Sequence, residues 1–296
     1  MDLAAYLAAK KTMVDEALAR YLPAAREEPA ALVASMRYTV FGGGKRLRPI
    51  LALAAAEAVG GDGQRVLPFA CALECIHAYS LIHDDLPAMD DDALRRGRPT
   101  NHKVFGEATA ILAGDALLSE AFFLMADPDV NKGVPADCLA RVVSTVARAV
   151  GWRGMVAGQA DDLASEGKTV TLATVERIHR RKTGALIRVS VVGGAILVGG
   201  TEAQVTALSE YGLRLGLAFQ ISDDILDVEG EESIVGKDVG SDAGRRKATY
   251  PGVVGLAGAK ERLAEEVRGA LEALRGVGPE AEPLRAIARY VLERRS

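Results

Sequence analysis

The chain has 296 residues, 49% of them hydrophobic and 5% aromatic, with a formal net charge of −4. That length allows one or two domains with a large buried core, and the shortage of aromatic residues beside abundant Ala, Leu, Val and Gly favours packed helices over a β-sandwich. The slightly acidic balance, spread along the whole chain, excludes a basic nucleic-acid footprint, so a polyanionic partner would have to be met locally.

The start, Met1-Asp2-Leu3 through Lys10-Lys11, lacks the basic-then-apolar pattern of a secretory leader. Stretches without charge, such as 189–200, fall short of the roughly 18 residues a membrane span needs, so a cytoplasmic protein is expected. Cys71, Cys75 and Cys138 are too few and wrongly spaced for a zinc site or a disulfide framework, and read as reduced, mostly buried thiols.

In chain order, helical periodicity predicts helices over 51–59, 66–83, 108–125, 138–149, 175–192 and 205–228. Turn chemistry at Gly42-Gly43-Gly44, Gly60-Gly61-Asp62-Gly63, Ala126-Asp127-Pro128-Asp129, Gly199-Gly200 and Gly276-Val277-Gly278-Pro279 separates them. No sustained alternating pattern, fixed-period repeat or interdomain linker interrupts the series. The expected fold is all-α: one large helical bundle around a deep central cavity, a single domain over 1–296.

The first polar feature is Gly42-Gly43-Gly44-Lys45-Arg46-Leu47-Arg48, which is not a nucleotide-binding P-loop, because Arg46 follows the lysine and no strand precedes the glycines. On the helix predicted next, His77 lies seven residues before Asp84, nearly on the same stripe, with Ser80 between them. The acidic cluster Asp84-Asp85-Leu86-Pro87-Ala88-Met89-Asp90 follows. On a straight helix Asp84 and Asp90 would diverge by about 120° and Asp91 would be the better partner. Pro87 should kink or end the helix, letting Asp90 swing back; periodicity alone leaves both open.

Arg95 and Arg96 come just after this cluster, and Lys182-Thr183-Gly184 interrupts a later helix with a glycine that can loosen it. The second cluster is Asp223-Asp224-Ile225-Leu226-Asp227, preceded by Gln220. Asp223 and Asp227 lie roughly 40° apart on one helical face, and in apolar surroundings such carboxylates call for cations. Either cluster alone reads as a solvated acidic patch. Together with the basic groups, including Lys237 and Lys247, they suit Mg²⁺ and a phosphate-bearing ligand, since Mg²⁺ takes a few carboxylates together with water and phosphate oxygens.

Those residues make the chain resemble the trans-isoprenyl diphosphate synthases, most closely the bacterial farnesyl diphosphate synthases. The stretches that carry the likeness are FGGGKRLRP (41–49), ECIHAYSLIHDDLPAMDDDALRRG (74–97), ILAGDAL (111–117), GQADD (158–162), KTGAL (182–186), FQISDDILD (219–227) and 236–251, in family order. The resemblance implies an all-α homodimer that joins isopentenyl diphosphate to an allylic diphosphate with up to three Mg²⁺ ions. It implies Asp84, Asp85, Asp90, Asp223, Asp224 and Asp227 as metal residues. Arg95, Lys182, Lys237 and Lys247 would hold the allylic diphosphate, and Gly44, Lys45, Arg48, His77 and Arg96 the isopentenyl diphosphate. Thr183 and Gln220 would lie beside the reacting carbons, with Asp84, Asp85, Arg95, Lys182 and Asp223 contributing to catalysis.

In the family, the fifth residue before the first cluster limits tail length. Here it is Tyr79, about 7–8 Å along the helix, beside the small Ser80, which predicts a C15 product, farnesyl diphosphate. A geranyl or geranylgeranyl diphosphate synthase is the alternative. A terpene cyclase would carry an Asn/Asp-Ser-Glu second motif, and a non-catalytic synthase subunit need not keep both acidic clusters.

Overall fold

Asp2 Oδ1 accepts a hydrogen bond from the Ala5 amide at 3.0 Å and so caps the first helix of this computed structural model, which describes residues 1–229 and 247–294. Helix α1 spans Leu3–Tyr21, α2 Ala30–Val40, α3 Leu47–Ala58 and α4 Leu67–Asp84, with a 3₁₀ turn before α4. A minimal antiparallel pair, β1 (Leu94–Arg95) and β2 (Arg98–Pro99), interrupts the helical series where the sequence pattern predicts no strand. Then follow α5 (Asn101–Phe105), α6 (Glu107–Ala126), α7 (Ala136–Val150), α8 (Met155–Ser165) and α9 (Leu172–His179). A π-helical turn, Arg180–Gly184, joins α9 to α10 (Ala185–Leu197), before α11 (Glu202–Glu229), α12 (Tyr250–Ala273) and α13 (Glu282–Glu293).

The sequence explains which helices are central. From Leu51 to Ala56 every residue of α3 is fully buried, and α10 is buried without a break from Val189 to Leu197, so these two stretches face solvent on no side. Small side chains let these rods approach closely, with Gly194 of α10 against the backbone of Ala52 and Gly193 against the Phe69 ring. The outer helices are one-sided: α7 buries Leu139, Val142, Val146 and Val150, and α13 buries Leu284, Ile287, Ala288 and Val291, the spacing of a single apolar stripe. Burying each such Leu or Val contributes about 1.5–3 kcal/mol relative to exposure.

Among the described residues two helices are long and apolar enough to cross a membrane by length and composition alone. The apolar window of Gly63–Asp84 is 78% buried inside the bundle, which makes α4 a core helix; that of Glu107–Ala126 is 39% buried, which leaves an apolar face on α6.

One buried ion-pair cluster sets the approach to the site. Arg46, in left-handed backbone conformation, donates to Glu74 Oε1, Asp15 Oδ1 and the Val40 carbonyl, each at 2.7 Å. It ties α1, α2 and α4 together immediately before α3, and so fixes its neighbours Lys45 and Arg48. Removing one partner of such a pair leaves a buried charge, at a cost of about 3–5 kcal/mol.

Candidate active site

Helix α4 ends at Asp84, and the chain turns back so that the Asp90 amide donates to the Asp84 carbonyl at 2.9 Å. Pro87 therefore lies beyond the helix end, which is where its missing donor is tolerated. Asp90 is the residue brought beside Asp84: its carboxylate faces Lys247 Nζ at 3.4 Å. Asp91, with φ 47°, turns outward to Lys103 and is 60% exposed. Burial, aided by the like charges of Asp90 and Asp85 and only partly offset by Lys182 and Arg95, pushes the Asp84 carboxyl up to about 6. Such a carboxylate is under-neutralised.

Asp85 is differently placed. It is buried and receives Arg95 from β1, with Nε at 2.8 and 3.0 Å and Nη2 at 2.5 Å. Burial opposes both charges, raising the Asp85 carboxyl; for Arg95 the contact with Asp85 outweighs burial and holds the guanidinium above its usual range. Asp85 thus fixes the Arg95 guanidinium while its own oxygens are occupied.

Lys182 reaches the same region from the π-helical turn. Its ammonium lies 2.6 Å from Asp162 Oδ2, and Lys247 Nζ lies 4.0 Å from the same oxygen. Burial works against the Lys182 charge, but Asp162 and Asp84 outweigh it and raise its affinity for the proton. The turn must lie close to α8, since a Cβ at Gly158 would collide with the Lys182 backbone. Asp162, in the GQADD stretch, takes no role from the sequence pattern alone. Its position four residues beyond Gly158, on one face of α8, is the available signal.

On α11, Asp223 Oδ1 accepts from Arg294 Nη2 at 2.6 Å, and Arg294 also donates to Ser222 Oγ and the Phe219 carbonyl while stacking 4.1 Å over the Phe219 ring. Asp224 points into the bundle: its Oδ2 receives His179 Nε2 and the Tyr250 amide, each at 2.8 Å, and its Oδ1 receives Gln220 Nε2 at 3.1 Å. Asp227 is half-buried one turn beyond Asp223. Thr183 donates to Gln220 Oε1 at 2.7 Å. His179 and Arg294 carry no motif that would single them out.

The other wall holds the remaining basic residues. Arg96 donates to the Gly43 carbonyl and packs on Gly44, where φ is +123° and a Cβ would come within 2.8 Å of its guanidinium, so that position requires glycine. Arg48 buries its Nε without a hydrogen-bond partner among the described residues, and burial lowers its proton affinity. Burial, with Arg48 and Arg96 nearby, also holds His77 well below the usual imidazole range, so it is neutral. Lys45 is lowered by burial and by Arg294. An anion would relieve all four groups. Below the clusters, Tyr79 is buried and meets the His83 ring edge-on at 5.5 Å, and Ser80 bonds back to the His77 carbonyl. Lys237 lies outside the described residues.

Among the described residues no three carboxylate, imidazole or thiolate groups converge tightly enough to hold a metal ion unaided. The donor set nonetheless fits a hard cation that completes its shell with water and phosphate oxygen: Asp84 and Asp90 share one corner, and Asp84 is under-neutralised.

A family model described as polyprenyl synthetase matches residues 29–277. The chain is 50% identical over 289 residues to a farnesyl diphosphate synthase from Geobacillus stearothermophilus, covering 98% of this chain and 97% of that one. It is 46% identical to a geranylgeranyl diphosphate synthase from Cyanophora paradoxa, covering 99% and 97%. The apo crystal structure of an FPP/GFPP synthase from Zymomonas mobilis superposes with a TM-score of 0.86 at 38% identity, over 98% of this chain and 99% of that one.

Proposed function

This chain belongs to the polyprenyl synthetase family, and on that premise we propose that it is a trans-prenyltransferase joining isopentenyl diphosphate head-to-tail to dimethylallyl and geranyl diphosphates, with farnesyl diphosphate as main product. The observation that carries the reading is the meeting of Asp84, Asp90, Asp162, Lys182 and Lys247, carboxylates and ammonium groups from separated segments. So many half-buried charges in one corner suit a polyanion and its cations.

Arg95, Lys182 and Lys247, with Lys237, hold the allylic diphosphate, while Gly44, Lys45, Arg48, His77 and Arg96 hold isopentenyl diphosphate on the facing wall. Mg²⁺ would be held by Asp84 and Asp90 on one side and Asp223 and Asp227 on the other, and when bound it neutralises the departing pyrophosphate. Lys182 and Arg95 donate to the same leaving oxygens, so charge developing there meets fixed donors in a water-poor site. The allylic carbon–oxygen bond breaks with its electron pair leaving on pyrophosphate. The oxygens of Thr183 and Gln220 face the electron-deficient carbon, the isopentenyl double bond adds to it, and the proton lost from the adduct goes to pyrophosphate. No side-chain nucleophile is needed.

Tyr79 closes the tail pocket in this reading. A geranyl or geranylgeranyl product is the second reading, the latter favoured by the likeness to the Cyanophora paradoxa enzyme. We take the chain as a single cytoplasmic domain, 1–296, that forms a homodimer, because α6 exposes Ile111, Leu112 and Phe123 on its outer face and a second copy would cover them. The test is to incubate purified protein with isopentenyl and dimethylallyl diphosphates, with Mg²⁺ or chelator, and measure product length. Mg²⁺-dependent C15 is expected; chelator-insensitive condensation or cyclic hydrocarbons would overturn the assignment.

A further inference from the structure

We propose that Asp224 is a positioning residue and not a metal ligand: it fixes the orientation of the Gln220 amide, so that the amide oxygen, not the nitrogen, faces the reacting carbon. The inference rests on the reading that Gln220 and Thr183 flank that carbon.

Asp224 is 2% exposed, and its carboxylate already accepts three hydrogen bonds from three elements: the His179 imidazole at the end of α9, the Gln220 side chain on α11 and the Tyr250 amide at the start of α12. His179 is held in turn by stacking on the Tyr250 ring, with centroids 5.8 Å apart. A metal ion at Asp224 would have to displace these buried donors, whereas Asp223 on the same helix would give up one arginine near the chain end.

The orientation follows from the donor inventory. Asp224 Oδ1 accepts from Gln220 Nε2 at 3.1 Å, so the NH₂ is turned toward Asp224 and Gln220 Oε1 is left on the other side, where Thr183 donates to it at 2.7 Å. A glutamine amide is nearly symmetric in shape, and the Thr183 hydroxyl can accept as readily as donate. Asp224 is therefore the group that decides between the two rotations, and a flipped amide would present N–H to a developing positive charge.

Asp224→Asn tests this with almost no change of volume. The amide oxygen of the introduced asparagine would keep the His179 and Tyr250 donors, and its NH₂ would face Gln220 and force the flip. Expected is a fall in kcat of about 100-fold, the scale on which one misdirected dipole acts, with little change in KM for either substrate. Mg²⁺ titrated calorimetrically into the protein with pyrophosphate should bind D224N as it binds the unaltered chain. The double variant D224N/Q220E should recover at least about tenfold over D224N, because the introduced glutamate accepts from both the new asparagine and Thr183 and returns an oxygen to the cleft. Melting curves check that each variant folds.

Gln220→Ala separates the two levels. If Q220A leaves kcat unchanged, Gln220 is not beside the reacting carbon and the underlying reading fails. If Q220A lowers kcat but D224N does not, or if D224N weakens Mg²⁺ binding as D223N should, or if the double variant gains nothing over D224N, the role assigned to Asp224 is wrong.

Discussion

Arg294 sits on Asp223: the guanidinium of the last described residue donates to the first carboxylate of the second acidic cluster at 2.6 Å, with its own side chain only 4% exposed. A cation binding Asp223 Oδ1 competes with this arginine for the same oxygen. Arg294→Gln is expected to lower the Mg²⁺ concentration for half-maximal activity by about two- to fivefold, the range for a partly exposed pair. It should also cost about 1 kcal/mol of stability through the lost stacking on Phe219. An unchanged Mg²⁺ dependence would show that the pair opens freely.

Asp90 and Asp91 are neighbours with opposite surroundings. Asp90 faces Lys247, and Asp91 faces the solvent-exposed Lys103. D90N should reduce kcat by about 100-fold or more, and D91N should remain within about threefold of the unaltered chain. Equal losses from the two, measured in one steady-state assay, would contradict this placement.

Asp84 gives a stability prediction with a definite sign. Its folded pKa of about 6 exceeds the ordinary 3.8, so the folded state binds the proton more tightly than the unfolded one. The carboxylate therefore costs nothing below pH 3.8 and, above about pH 6, roughly 3 kcal/mol in metal-free protein. D84N removes that cost. In chelator, urea unfolding should find D84N more stable than the unaltered chain at pH 8, with the difference shrinking as pH falls toward 4. A constant difference across that range would mean that Asp84 is not the group responsible.

Tyr79 packs edge-on against His83, and a ring so supported makes a rigid floor. Tyr79→Ala should shift the main product from C15 to longer chains, read by chromatography of the dephosphorylated alcohols. A persisting C15 profile would remove Tyr79 as the limit.

Much of this is legible in the chain itself. The helix predicted over 205–228 is α11 at Glu202–Glu229, and that over 108–125 is α6 at Glu107–Ala126, because one apolar periodicity decides each. The π-helical turn is visible only as a glycine that could loosen a helix, since a backbone register change leaves little trace in side-chain pattern. Asp90 cannot be separated from Asp91 by periodicity because helix geometry stops applying at Asp84, and the decisive contact comes from Lys247, far along the sequence. Asp162, His179 and Arg294 escape for a similar reason: each is an ordinary polar residue locally, and only tertiary packing brings it to Lys182, Asp224 and Asp223.

Between α9 and α10, the turn at Arg180–Gly184 holds one residue more than an α turn would, so the two helices form one rod whose halves are out of phase by about 100°. Deleting Arg180 or Arg181 from the turn would let the rod heal into a regular helix with better backbone hydrogen bonding. Yet Lys182 and Thr183 would then swing away from Asp162 and Gln220, giving a chain that folds more readily and transfers no prenyl group.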